Sequence, residues 1–130
     1  MGSASDDIAA GIIANWSAAF ANLDADALSS LYSKHALFYG SNPTLYRGRD
    51  GVKSYVAGQP HWDSKSVAFT DVSTDSADPD LVNMAGTANF SVDGSPLTVK
   101  ITWVIIREEG DWKIVSHHVS SKAPLIDQAK

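Results

Sequence analysis

The stretch Pro96 to Ser121, PLTVKITWVIIREEGDWKIVSHHVSS, constrains the fold more than any other. Two β-prone runs flank Glu108-Glu109-Gly110, a spacing that predicts a three-residue hairpin loop with glycine at its positive-φ position. With that loop Arg107 faces Asp111. Pairing then runs back through Ile105 with Lys113, Trp103 with Val115, Ile101 with His117 and Val99 with Val119. Directly paired residues share a face of the sheet. One face is therefore Leu97, Val99, Ile101, Trp103, Ile105, Val115, His117 and Val119, apolar apart from one imidazole. The other carries Thr98, Lys100, Thr102, Val104, Ile106, Trp112, Ile114, Ser116 and His118, a mixed set.

The rest of the chain supplies helices to cover that ribbon. Ser5-Asp6-Asp7 offers a capping hydroxyl and two carboxylates at a helix N-terminus, where the dipole favours negative charge. Ile8, Ile12, Trp16 and Phe20 follow at steps of four, with Ile13, Ala19 and Leu23 widening the stripe. Asp24 caps a second, shorter helix through Leu28, Leu31 and Tyr32, ending near Lys34-His35. A short strand over 36–39 breaks at Gly40-Ser41-Asn42-Pro43, and Leu45-Tyr46-Arg47 returns as another. Gly48 to Gly51 opens a small helix with Val52, Tyr55 and Val56 on one face, stopped by Gly58 and Pro60. Strands are predicted over 66–72 and 84–92, separated by a polar turn holding Asp75, Asp78 and Asp80. Asp93-Gly94 is a hairpin turn leading into the opening stretch. Residues 1–5 and 125–130 read as tails of a single domain spanning 1–130.

Helices followed by an antiparallel meander predict an α+β fold, with N-terminal helices packed on a strongly curved, mainly antiparallel sheet. A sheet curling around the first helix leaves a conical hollow lined by the apolar ribbon face. At 130 residues, 44% apolar and 19% charged, the chain has enough material for one core and a pocket. The net charge of −5 is dispersed, which argues against a nucleic-acid surface or an anionic membrane as partner. No apolar run is long enough to cross a bilayer, and Met1-Gly2-Ser3 leads into acidic residues, unlike a signal peptide. The absence of cysteine removes thiolate chemistry and fits a cytoplasmic location.

The segments NWSAAFANLDADALSSLYSKHALFYG, YRGRDGVKSYV and IIREEGDWKIVSHHVSS resemble the nuclear-transport-factor-2-like superfamily. Within it the chain is most similar to SnoaL-like proteins and to the association domain of calcium/calmodulin-dependent kinase II. The resemblance implies a cone-shaped α+β barrel, a homodimer through the outer sheet face and a small-molecule pocket. It also implies a range of activities, from isomerases, cyclases and hydrolases to non-catalytic oligomerisation modules. Ketosteroid isomerases of this layout use a tyrosine and two aspartic acids at places that fall near Trp16, Gly40 and Trp103 here. The kinase association domain has pocket arginines near the places of Trp103 and Val119. None of these residues is retained. A metal-free carbonic anhydrase class on this fold ends in a histidine-rich run and two serines, which His117-His118-Val119-Ser120-Ser121 resembles with valine interposed.

His117 and His118 are neighbours on a strand and point to opposite faces. The pairing above turns His117 inward, where it is either a general acid/base or a neutral core histidine bonded to a tyrosine or carbonyl. A one-residue bulge would exchange the two histidines, so both stand as catalytic candidates, with Tyr46 as a phenolic donor. The candidate substrate wall is Trp16, Phe20, Phe38, Tyr55, His61, Trp62, Phe90, Trp103 and Val119. The four histidines lack metal-ligand spacing, and no phosphate loop is present, so neither a metal nor a cofactor is implied. The expected function is a cofactor-free acid/base enzyme acting on an apolar small molecule. The alternatives are a ligand-binding or oligomerisation module, and carbonic anhydrase-like hydration.

Overall fold

The computed structural model describes residues 3–121, so the tail expected at 125–130 and the strand end at Ala123-Pro124 lie outside the described residues. Elements run α1 (Ala4–Ala21), α2 (Ala25–Ser30), β1 (Tyr32–Tyr39), β2 (Leu45–Arg47), α3 (Gly48–Ala57), β3 (Lys65–Asp78), β4 (Leu81–Val92), β5 (Ser95–Glu108) and β6 (Asp111–Ser121). The strands form one curved, unclosed sheet in the order β2-β1-β6-β5-β4-β3. All neighbours are antiparallel except β1 and β6, which run parallel. The helices pack on its concave side, giving the α+β cone expected of the sequence.

Helix α1 begins two residues earlier than its acids suggest. Ser3 is the N-cap, its hydroxyl accepting from Asp6 N at 3.1 Å while the Asp6 carboxylate accepts from Ser3 N. That carboxylate also takes a hydrogen bond from Thr74 of β3, at 2.5 Å, and this bond is the main reason its pKa is lowered. The stripe buries Ala9, Ile12, Trp16, Ala19 and Phe20. Helix α2 is shorter than its apolar spacing predicts, and Tyr32 opens β1 instead of closing the helix. The cause is tertiary: Ile114 N donates to Leu31 O at 2.9 Å, and Tyr32 pairs with Ile114 across β1 and β6.

The β5–β6 hairpin also differs from its expected register. Its loop has two residues, Glu109 and Gly110, with φ of 53° and 86°, the backbone of a type I′ turn. Glu108 therefore faces Asp111, and Ile105 faces Ile114. A bulge at Val115 then shifts the ladder, so that Trp103 faces His117 and Ile101 faces Val119. Ile114, expected outside, is consequently a fully buried core residue. His117 keeps the inward orientation predicted for it. Strand β3 likewise runs on to Asp78, through residues expected to form a polar turn, with a register shift around Asp71 and Val72. Gly86 of β4 lies against this shift, where a Cβ would meet Val72 Cγ2 at 3.2 Å.

The hairpin tip is clipped to the start of β1. Glu108 accepts from Ser33 Oγ at 2.6 Å, from Arg49 Nη2 at 3.1 Å and from Lys34 N at 3.4 Å. The Ser33 hydroxyl does most to hold its carboxyl below the usual carboxylate range. Arg49 also donates from Nε to Tyr32 O at 2.9 Å. Three separate elements thereby fix where the Tyr32 side chain enters the core.

Candidate functional site

Trp16 stands at the middle of the helical layer and gathers rings from four strands. Phe20 stacks beside it, Phe69 and Phe90 meet it edge-on, and Trp103 and His117 lie at centroid distances of 6.2 and 6.5 Å. Its indole N–H donates to Tyr32 Oη at 3.0 Å. Tyr32 Oη lies 2.8 Å from His117 Nδ1, and Trp103 Nε1 donates to that same nitrogen at 2.9 Å. Phe38 covers the imidazole face at 4.0 Å between centroids.

This network fixes the protonation state. An indole N–H only donates, so Nδ1 is an acceptor and carries no proton. The ring hydrogen of the neutral imidazole is then on Nε2. Tyr32, which accepts from Trp16, directs its own hydrogen at Nδ1 alongside Trp103. Burial is the main cause and the neighbouring His118 the lesser one in depressing the His117 pKa from 6.5 to about 3. Burial also keeps the Tyr32 phenol protonated, its pKa pushed upward. The imidazole therefore does not titrate near neutrality, as its residue type alone suggests.

In front of this network lies a cavity of about 580 Å3. Its buried wall comes from Trp16 and Phe20 of α1, Leu28 of α2, Tyr32 and Phe38 of β1, Val52 and Val56 of α3, Ile101 of β5 and His117 of β6. Polar groups gather where the wall reaches the surface, at Ser41, Gln59, Thr98, Ser120 and Ser121, beside Leu97, which is 52% exposed. No charged side chain lines the cavity among the described residues. Tyr55 closes one side, its Oη bonded to Ser41 N at 2.8 Å and Ser41 Oγ at 2.7 Å. Its ring occupies the space a Cβ on residue 40 would need, so glycine is required there.

The structure brings together His117, Trp16, Phe20, Phe38, Tyr55, Trp62, Phe90 and Val119 around the cavity. Four other candidates are not among its lining residues. His118 is exposed on the opposite sheet face, edge-on to Tyr39, because alternation along β6 turns it away from His117. Tyr46 sits outside the wall behind Tyr55, its Oη accepting from Asn42 Nδ2 at 3.1 Å. His61 is exposed in the segment between α3 and β3. Trp103 is fully buried and reaches the site indirectly, through its ring contact with Trp16 and its hydrogen bond to His117 Nδ1. The residue that sequence reasoning missed is Tyr32. Its one available signal was a lone tyrosine at the end of an apolar helical stripe.

Solved structures with this architecture are numerous but distant in sequence. A candidate scytalone dehydratase from Novosphingobium aromaticivorans superposes with a TM-score of 0.81 at 12% identity, over 90% of this chain and 83% of that one. A candidate calcium/calmodulin-dependent protein kinase II association domain from Xanthomonas campestris gives 0.80 at 20% identity, over 97% and 91%. A candidate dehydratase of the NTF2-like family from Streptomyces avermitilis gives 0.75 at 19% identity, over 90% and 95%. Such similarity speaks to the fold alone. Among curated proteins, none matches the sequence. The SnoaL-like domain profile matches residues 10–124, nearly the whole of the cone described above, and the chain belongs to the SnoaL-like family.

Proposed function

We propose that the chain binds an uncharged, mainly apolar small molecule with one hydrogen-bond acceptor, in the cytoplasm, and that His117 presents its Nε2–H to that acceptor. The observation carrying this reading is a neutral imidazole, held through Nδ1, in the wall of a cavity that no charged group among the described residues lines. Moving an ion into such surroundings without a counter-charge costs several kcal/mol. The volume lies within the roughly 300–1,000 Å3 usual for small-molecule sites. Prodan, an uncharged naphthyl ketone whose emission responds to hydrogen bonding at its carbonyl, tests the reading. It should bind in preference to the anionic anilinonaphthalene sulfonate. His117→Phe should weaken prodan binding about tenfold, the worth of one hydrogen bond. Equal affinity for both dyes, or unchanged prodan binding in a folded His117→Phe protein, would overturn it.

A second reading keeps catalysis at the same site and draws support from the dehydratase names of two similar structures. The neutral imidazole would then act as a fixed donor to a developing oxyanion in a largely dry site. A base role is disfavoured, because a ring with a pKa near 3 takes up no proton at neutral pH. Hydration of the carbonic anhydrase kind is disfavoured too, since the two histidines of the terminal run do not converge.

We further propose a homodimer through the outer sheet face. Leu37 and Tyr39 alternate outward on β1, each 44% exposed, and Val104 of β5 lies in the same row as Leu37 across Ser116. Light scattering at micromolar concentration should give twice the chain mass, and Leu37→Glu together with Tyr39→Glu should halve it. A wild-type monomer under those conditions would end the proposal.

A further inference from the structure

Leu23 follows helix α1 with a φ of 46°. Asp24 N donates to Ala19 O at 3.0 Å and Leu23 N to Phe20 O at 2.9 Å, the two bonds of a Schellman ending. Leu23 occupies its left-handed position, where glycine is usual because a Cβ is crowded by the neighbouring carbonyl. The other non-glycine residues with positive φ, among those described, are Asp71, Asp93 and Glu109. Aspartate tolerates this backbone through its short polar side chain, and Glu109 sits in the I′ turn of the hairpin. A γ-branched apolar residue has neither excuse.

What Leu23 does have is a place in the cavity wall. Its half-buried side chain packs on the core and lines the cavity together with Phe20 and Leu28, at the corner where α1 gives way to α2. Backbone strain that coincides with a binding surface points to a functional reason for the side chain. Resting on the ligand-binding reading above, we propose that Leu23 is a specificity-determining residue whose isobutyl group closes the α1–α2 corner and limits the length of ligand accepted. Glycine would suit the helix ending and leave the corner open. Alanine would open the corner and keep the strain.

Prodan and laurdan share a head group and differ only in acyl length, so their affinities read the corner directly. The wild-type chain should prefer prodan. Leu23→Gly and Leu23→Ala should both shift the affinity ratio toward laurdan by about tenfold or more. Leu23→Met should restore the wild-type ratio, which separates side-chain size from helix-end geometry. Leu23→Gly should also unfold at a higher temperature than Leu23→Ala, because only glycine relieves the backbone. An unchanged dye ratio in a wild-type protein that does bind prodan would overturn the role of Leu23 alone. Equal melting temperatures for the two variants would remove the strain on which it is argued. A wild-type protein that binds neither dye would defeat the ligand-binding reading, and this inference with it.

Discussion

Lowering the pH from 6.5 to 4.5 should destabilise the protein by about 2 kcal/mol through His117 alone. The sign follows from where the proton goes. In the unfolded chain this imidazole takes a proton below its ordinary pKa of 6.5, whereas in the fold it stays neutral down to about 3. Between those values acid favours the unfolded chain. Above the window the contribution is present in full, and below it no more is lost. Glu108 and Asp6, whose carboxyls are held below their ordinary values of 4.5 and 3.8, lose most of their contributions below those values, so the histidine dominates the interval from 6.5 to 4.5. Urea unfolding across that interval should give a steep slope for the wild-type chain and a nearly flat one for His117→Gln. Parallel curves would mean that the ring is not held neutral.

Trp103→Ala should cost about 3–5 kcal/mol, the usual penalty for emptying a fully buried aromatic site. Two losses combine there. The indole packs against Trp16 and Phe69, and its N–H is one of the two donors on His117 Nδ1. Trp103→Phe retains most of the packing and removes only the donor, with an expected cost near 1 kcal/mol. Because Trp103 does not line the cavity, the phenylalanine protein should still bind prodan. Chemical denaturation of the two variants checks the ordering, and a loss below about 1 kcal/mol for Trp103→Ala would contradict the burial argument.

Much of this arrangement was legible in residue order, and its gaps have physical causes. The steps of four from Ile8 to Phe20 placed Trp16 inside, and the alternation through Ile101, Trp103 and Ile105 identified the inner ribbon face. His117 was read inward by a pairing that was itself off by the loop length. The two-residue turn and the bulge at Val115 compensate at His117 but not at Ile114, which changed sides. A bulge leaves no mark in apolar periodicity, so no amount of pattern reading would have found it. The helical spacing of Leu28, Leu31 and Tyr32 predicts helix through Tyr32. The hydrogen bond from Ile114 to Leu31 overrides that preference, and its donor lies 83 residues away in sequence. The exclusion of charge from the cavity was legible only in part. Composition shows few charges, and only the fold shows that none of them, among the described residues, lines the cavity.

The sheet is left open, and β3, one of its two longest strands, ends it on one side. Its free border carries Asp71, Asp75 and Asp78, and the kink at Asp71 interrupts any straight row of unpaired amides. An added strand from another molecule would have to align against like charges on a broken line. The border that β3 leaves unpaired is thus guarded by carboxylates against becoming a template for fibrils.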